Sequence, residues 1–276
     1  MNQNEDKNEV TDNSFTNLHG INLSIKKGEF IAITGVIGSG KSSLLNALAK
    51  FMPIKKGSIS VEGSLLLCGY PWVQNTTIKD NILFGSEYDE EKYKKVIQVC
   101  ALERDLTLFP FGDETEIGER GITLSGGQKA RLNLARSVYA NSDILLMDDV
   151  LSAVDARVGE HIMEDCILGY LKDKTRILAT HQLSLIGKAD KVIFINVGGG
   201  ISIGSIEELK ETNEDFKRLI EFGGDQQQHD HHHGSEDDNI GKDETEEKEK
   251  EEDEIDEELR ELDDSGLELD DDAKRI

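Results

Sequence analysis

The sequence predicts an α/β protein, with a mostly parallel sheet carrying helices on both faces. Two stretches carry that prediction. Phe30-Ile31-Ala32-Ile33-Thr34 is an apolar, partly β-branched run that reads as a buried strand. A glycine-rich loop and a helical stretch, Ser42–Ala49, follow it directly. Ile144-Leu145-Leu146-Met147 is a second apolar run. It ends in Asp148-Asp149, which puts two carboxylates at the carboxyl end of a strand, where open α/β sheets bind ligands.

The other elements follow from the same reading of short apolar runs as strands and longer periodic ones as helices. Strands are predicted at 21–25, 30–35, 58–61, 65–68, 143–148, 175–180, 191–195 and 200–203. Helices are predicted at 41–50, 76–84, 90–101, 126–139, 156–170 and 205–221. Within 126–139, Ala130, Leu132, Leu134 and Ala135 form an apolar stripe.

The loop after the first run reads Gly35-Val36-Ile37-Gly38-Ser39-Gly40-Lys41-Ser42 and fits G-x-x-x-x-G-K-[ST]. The glycines at 35, 38 and 40, with Ser39 among them, let the backbone wrap a phosphate chain and point N–H groups inward. Lys41 reaches the β- and γ-phosphates, and the Ser42 hydroxyl takes one position on Mg²⁺. Ser42 and Ser43 open the helix, whose N-terminus adds its positive dipole end. Asp148 is the expected magnesium partner from the second acidic element.

Downstream lies Leu124-Ser125-Gly126-Gly127-Gln128. With the phosphate loop upstream in the same domain, this motif resembles the signature of ATP-binding cassette (ABC) transporter domains. The narrower resemblance is to the first nucleotide-binding domain of the ABCC (multidrug-resistance-associated) subfamily. It is carried by Leu65-Leu66-Leu67-Cys68-Gly69-Tyr70-Pro71-Trp72-Val73-Gln74-Asn75-Thr76-Thr77-Ile78 and by Gly118-Glu119-Arg120-Gly121-Ile122-Thr123. Asp148-Asp149-Val150-Leu151-Ser152-Ala153-Val154-Asp155-Ala156 and Ala179-Thr180-His181-Gln182 complete it.

The resemblance covers residues 15–222. It implies a P-loop NTPase fold with an ABC-type ATPase core and a helical subdomain at about 76–140. It implies ATP and Mg²⁺ as ligands, with Gln74 contacting Mg²⁺ or the attacking water and touching the membrane domain. Ser125, Gly126, Gly127 and Gln128 match the signature that closes over ATP held by a second nucleotide-binding domain in a head-to-tail dimer. Ser152–Asp155 match the loop that joins the two domains, and His181 matches the switch histidine near the γ-phosphate. The implied partners are transporter membrane domains and that second domain. The implied place is the cytoplasmic face of a membrane, plasma or vacuolar, with an isolated fragment soluble in the cytoplasm.

Two departures from the family pattern bear on activity. Where hydrolytic sites carry a glutamate base after the Walker B aspartate, this chain has Asp149, whose carboxylate sits on the order of 1.5 Å further back. A displacement near 1 Å can cost about 10²-fold in rate, so a site that binds well and turns over slowly is expected. The second departure is at the N-terminus. Phe15 aligns as a strand residue, and the polar segment 1–14 has no strand pattern, so the first strand and the adenine-stacking aromatic are expected to be missing.

Charge separates domain from tail. Asp225–Ile276 holds 24 acidic and 6 basic residues, a net −18 of the chain's −25. Residues 223–276 therefore read as a disordered acidic linker. The tract of Gln226–Gln228 with His229 and His231–His233 offers imidazoles for a metal but no cysteine beside them. Cys68, Cys100 and Cys166 are widely spaced in apolar surroundings and read as buried thiols. No apolar run has the length of a membrane span. No nucleic-acid partner is expected, because the DNA-repair relatives separate phosphate loop and signature by long coiled coils that this chain lacks. The alternative to a transporter ATPase is a truncated, non-hydrolytic nucleotide-binding module.

Overall fold

At the centre lies β1 (Phe30–Thr34), all five of its residues buried. The computed structural model describes residues 18–118 and 122–221. Ile31 and Ile33 pack against Leu44 and Leu45 of α1 (Lys41–Leu48). Ala32 falls in a separate cluster with Ile186, Phe194 and Leu209. Burial on both faces is why this strand reads as one continuous apolar run.

Around it lie β2 (Leu65–Cys68), β3 (Ile144–Asp148), β4 (Thr175–Ala179), β5 (Lys191–Ile195) and β6 (Ile201–Gly204), in the order β2-β3-β4-β1-β5-β6. Every pairing is parallel except β5 with β6. The α/β architecture with a mostly parallel sheet is therefore as predicted.

Four helices follow β2: α2 (Ile78–Leu83), α3 (Glu90–Val99), α4 (Glu103–Leu108) and α5 (Gly126–Tyr139). Thr77 caps α2 by accepting from the Asp80 N–H, and Asp89 caps α3 by accepting from Lys92. After β3 come α6 (Ala156–His161), α7 (Leu183–Ile186) and α8 (Ile206–Thr212).

The structure corrects several predicted elements. Residues 21–25 and 58–61 form no strand. In 21–25 the alternation still has a purpose, since Leu23 and Ile25 pack on the core. Alternation specifies which side faces inward, but a ladder also needs a neighbouring strand. The helix predicted at 156–170 is α-helical only to His161 and π-helical over Ile162–Tyr170. Its wide turns show in the Leu171 N–H donating to the Cys166 carbonyl, five residues back (2.9 Å). A Cβ on Gly169 would stand 2.9 Å from the Glu164 carbonyl. The helix predicted at 205–221 breaks at Asn213, whose side chain donates to Asn196 and Ser202 and accepts from the Phe216 N–H. The short helices α4 and α7 were not predicted. Expectations for residues 1–17, including Phe15, and for 222–276 lie outside the described residues.

A buried guanidinium fastens α5 to α2. Arg136, 7% exposed, donates to the Asn81 carbonyl (2.7 Å), the Asn81 Oδ1 (2.9 Å) and the Trp72 carbonyl (3.1 Å). It also stacks 3.8 Å from the Trp72 ring centroid. Arg136→Ala leaves these acceptors buried without donors. The unfolding free energy is expected to drop by about 2–3 kcal/mol, which calorimetry would record as a melting temperature roughly 4–12 °C lower. An unchanged melting temperature would show that water replaces the guanidinium.

The three cysteines are buried free thiols. Burial pushes the Cys68 thiol up to about 11 and raises Cys100 as well. Neither of these two forms a thiolate readily near neutral pH. No helix among the described residues is long and apolar enough to cross a membrane.

Candidate functional site

The parallel sheet brings distant motifs to one edge. β1 runs into the loop Gly35–Ser42, β3 ends at Asp148 and Asp149, and β4 leads through Thr180 to His181. β3, β4 and β1 are adjacent and parallel, so all three deliver these residues at their carboxyl ends.

The loop has the form of a phosphate cradle. Gly35 (φ 151°) leaves no room for a side chain, because a Cβ there would lie 2.8 Å from Ser39 Oγ and 2.9 Å from the Ile195 carbonyl. Gly40, in the left-handed region at φ 103°, caps α1 with no side chain across the helix end. The first-turn N–H groups of Lys41, Ser42 and Ser43 thus have no capping side chain over them. Lys41 Nζ donates to the carbonyls of Gly35 (2.9 Å) and Val36 (3.2 Å). Its pKa is lowered by burial, an effect that the negative charges of Asp149 and Asp148 partly oppose. Ser39 Oγ and Thr34 Oγ1 are buried hydroxyl oxygens with no hydrogen-bond partner. A bare helix end, a cation and the orphaned Ser39 hydroxyl fit a phosphate chain.

Asp149 sits at φ 52°, a left-handed conformation that aspartate tolerates. Its backbone is held there by N–H donation to Ala179 and by Ser152, whose N–H (3.2 Å) and Oγ (2.9 Å) donate to its carbonyl. Asp149 Oδ1 lies 3.2 Å from His181 Nδ1. That oxygen is buried and makes no aligned hydrogen bond. Ser42, Asp148 and Gln74 present hydroxyl, carboxylate and amide oxygens, the hard donors that magnesium takes.

Gln74, six residues beyond β2, is exposed. Its backbone is clamped by the buried Asn81, which accepts from the Gln74 N–H (2.8 Å) and donates to the Gln74 carbonyl (3.0 Å). Beside it opens a surface groove of about 500 Å³ lined by Gln74, Thr76, Asp80, Leu83, Phe84 and their neighbours.

The signature lies elsewhere. Ser125 caps α5 in a reciprocal box: its Oγ accepts from the Gln128 N–H (3.2 Å), and its own N–H donates to Gln128 Oε1 (2.9 Å). A Cβ on Gly127 would lie 2.8 Å from the Ala153 carbonyl, so the signature rests on the turn after Asp149. Among the described residues its hydrogen bonds run to α4, not to the Gly35–Ser42 loop.

Sequence reasoning missed Asn81, Asp105 and Arg136. Asn81 had a visible signal, a polar residue on the buried face that Ile78 and Ile82 share. Asp105 and Arg136 had none, because their partners are distant in the chain.

Residues 18–152 match the model of the family described as ABC transporter. The chain carries an ATP-binding domain of the ABC transporter family, on a P-loop NTPase fold. Its relatives over this region are ABCC-type transporters. The oligomycin resistance ATP-dependent permease of Saccharomyces cerevisiae is 59% identical over 209 residues, covering 76% of this chain and 14% of the permease. The ABC-type transporter cicA of Emericella nidulans is 50% identical over 74% of this chain and 15% of its own length. ATP-binding cassette sub-family C member 4 of Mus musculus is 46% identical over the same two shares. The chain thus spans about a seventh of the length of these relatives.

Proposed function

We propose that this is the first nucleotide-binding domain of an ABCC-type exporter, that it binds Mg-ATP, and that its own site hydrolyses ATP slowly. The observation that carries the reading is the meeting of Lys41, Asp148, Asp149 and His181 at the carboxyl ends of adjacent strands. Lys41 and the loop N–H groups hold the β- and γ-phosphates. Ser42, Asp148 and Gln74 hold magnesium, which when bound neutralises charge on the phosphates. Asp149 stands where a base would take a proton from the attacking water, with His181 3.2 Å away. Its carboxylate is one methylene short of a glutamate's.

The signature, with Ser152–Asp155, faces a second nucleotide-binding domain head to tail. ATP held between the two favours the closed pair, a population shift that supplies the work of transport. The groove beside Gln74 receives a membrane domain, with Phe84 (51% exposed) and Trp72 (43%) offering apolar surface at its rim. The assembled site lies at the cytoplasmic face of a membrane.

Calorimetry with ATP and magnesium, together with ATPase assays of the purified chain, tests this reading. Binding with slow turnover is expected. Asp149→Glu, paired with a competent partner domain, should raise turnover at this domain's own site by up to about 10²-fold. Rapid hydrolysis by the unmodified isolated chain would overturn the slow-site assignment.

A further inference from the structure

Asp105, in the first turn of α4, is a carboxylate only 7% exposed. Its Oδ1 accepts from Gln128 Nε2 (2.9 Å) and Arg131 Nη2 (3.2 Å), and its Oδ2 lies 3.0 Å from the same Arg131 nitrogen. Arg131 is held in turn by donating to the carbonyls of Ala101 (2.9 Å) and Gly127 (3.3 Å). The charge on Asp105 is therefore paired inside the domain.

The consequence concerns which way the Gln128 amide points. An ionised carboxylate only accepts hydrogen bonds, whereas an amide side chain has one donor end and one acceptor end. With Nε2 committed to Asp105, Oε1 must face the other way, where it accepts from the Ser125 N–H (2.9 Å). Reversed, the amide would set a donor against Ser125 N–H and an oxygen against the carboxylate, so both contacts would fail. The Ser125 Oγ accepts from the Gln128 N–H, which leaves its own O–H hydrogen free to donate outward.

We propose that Asp105 is a positioning residue of the signature. Through Gln128 it fixes the cap conformation of Ser125 (φ −62°, ψ 164°). In that conformation the Ser125 hydroxyl and the N–H groups of Gly126 and Gly127 are set for an anion presented by another domain. The catalytic consequence rests on the proposed head-to-tail arrangement, but the positioning itself does not.

Asp105→Asn turns one acceptor into a donor and sets it against a donor of Gln128 or Arg131. In the purified chain, amide exchange at Ser125 should quicken about tenfold, the scale of a lost helix cap. Gln128→Glu alone keeps an acceptor for the Ser125 N–H but sets a carboxylate against Asp105; it should give the same rise and serves if Asp105→Asn does not fold. Asp105→Asn combined with Gln128→Glu restores a donor facing an acceptor and should return Ser125 to slow exchange. In paired domains, Asp105→Asn should lower kcat about tenfold with KM for ATP within about twofold, and the double variant should recover much of it. Unchanged exchange at Ser125 in a folded single variant, or a double variant no better than Asp105→Asn, overturns the proposal. Protection at Ser125 that is lost and rescued while ATPase never moves supports the positioning and overturns the reading of the signature as a contact to the partner's nucleotide.

Discussion

Replacing Lys41 with alanine should weaken ATP binding by about 10–100-fold, the equivalent of one or two charge-assisted hydrogen bonds. The side chain is half-buried and reaches back over its own loop, donating to the carbonyls of Gly35 and Val36. Under the proposed binding mode two losses combine, the cation for the phosphates and the tie that shapes the loop. The core beneath is independent of it, because Leu44 and Leu45 carry the packing of α1 against β1. The melting temperature should stay near that of the unmodified chain while calorimetry records the weaker affinity. Unaltered affinity in a folded Lys41→Ala chain would mean that nucleotide binds outside the Gly35–Ser42 loop.

The parts of the fold that were legible in the chain are those written locally. The strand–glycine loop–helix unit around β1 and the acidic pair at the end of β3 are each written in a few consecutive residues. β1 and β3 are buried apolar runs, so their place in a parallel sheet could be anticipated as a class. Elements that depend on a partner were less legible. Residues 21–25 alternate as a strand does, yet the alternation of Leu23 and Ile25 records only burial. The π-helical turns of Ile162–Tyr170 have no periodic signature at that length, and Gly169 becomes telling only once the Glu164 carbonyl stands against it. Asp105 and Arg131 are 26 residues apart, and neither position marks the other. Reading them as a pair required the packing of α4 on α5. The same holds for Asn81 and Arg136, 55 apart, although together they secure the Gln74 backbone to the signature helix.

Gly126→Asp should abolish most of the ATPase of an assembled pair while leaving this domain as stable as before. A Cβ at Gly126 meets nothing within 4 Å, so the fold accepts the change. The new carboxylate would sit in the first turn of α5, where a negative charge favours the helix by about 0.3–1 kcal/mol. Gly127 offers no such clean test, since a Cβ there runs into the Ala153 carbonyl. Under the proposed head-to-tail arrangement, the carboxylate at 126 confronts the γ-phosphate held by the partner domain. It also spoils the donors there, the Ser125 hydroxyl and the N–H groups of Gly126 and Gly127, and preorganised donors of this kind are worth about 10²–10³ in rate. Asp149→Ala touches this domain's own site, the slow one on the proposed reading, and should reduce the pair's turnover by less than about tenfold. Reconstitution with a second nucleotide-binding domain, or grafting into a full transporter, allows the two variants to be compared under one assay, with thermal melting as the control for folding. Equal damage from the two would mean that hydrolysis is shared evenly. A silent Gly126→Asp would mean that this signature does not close over the partner's ATP.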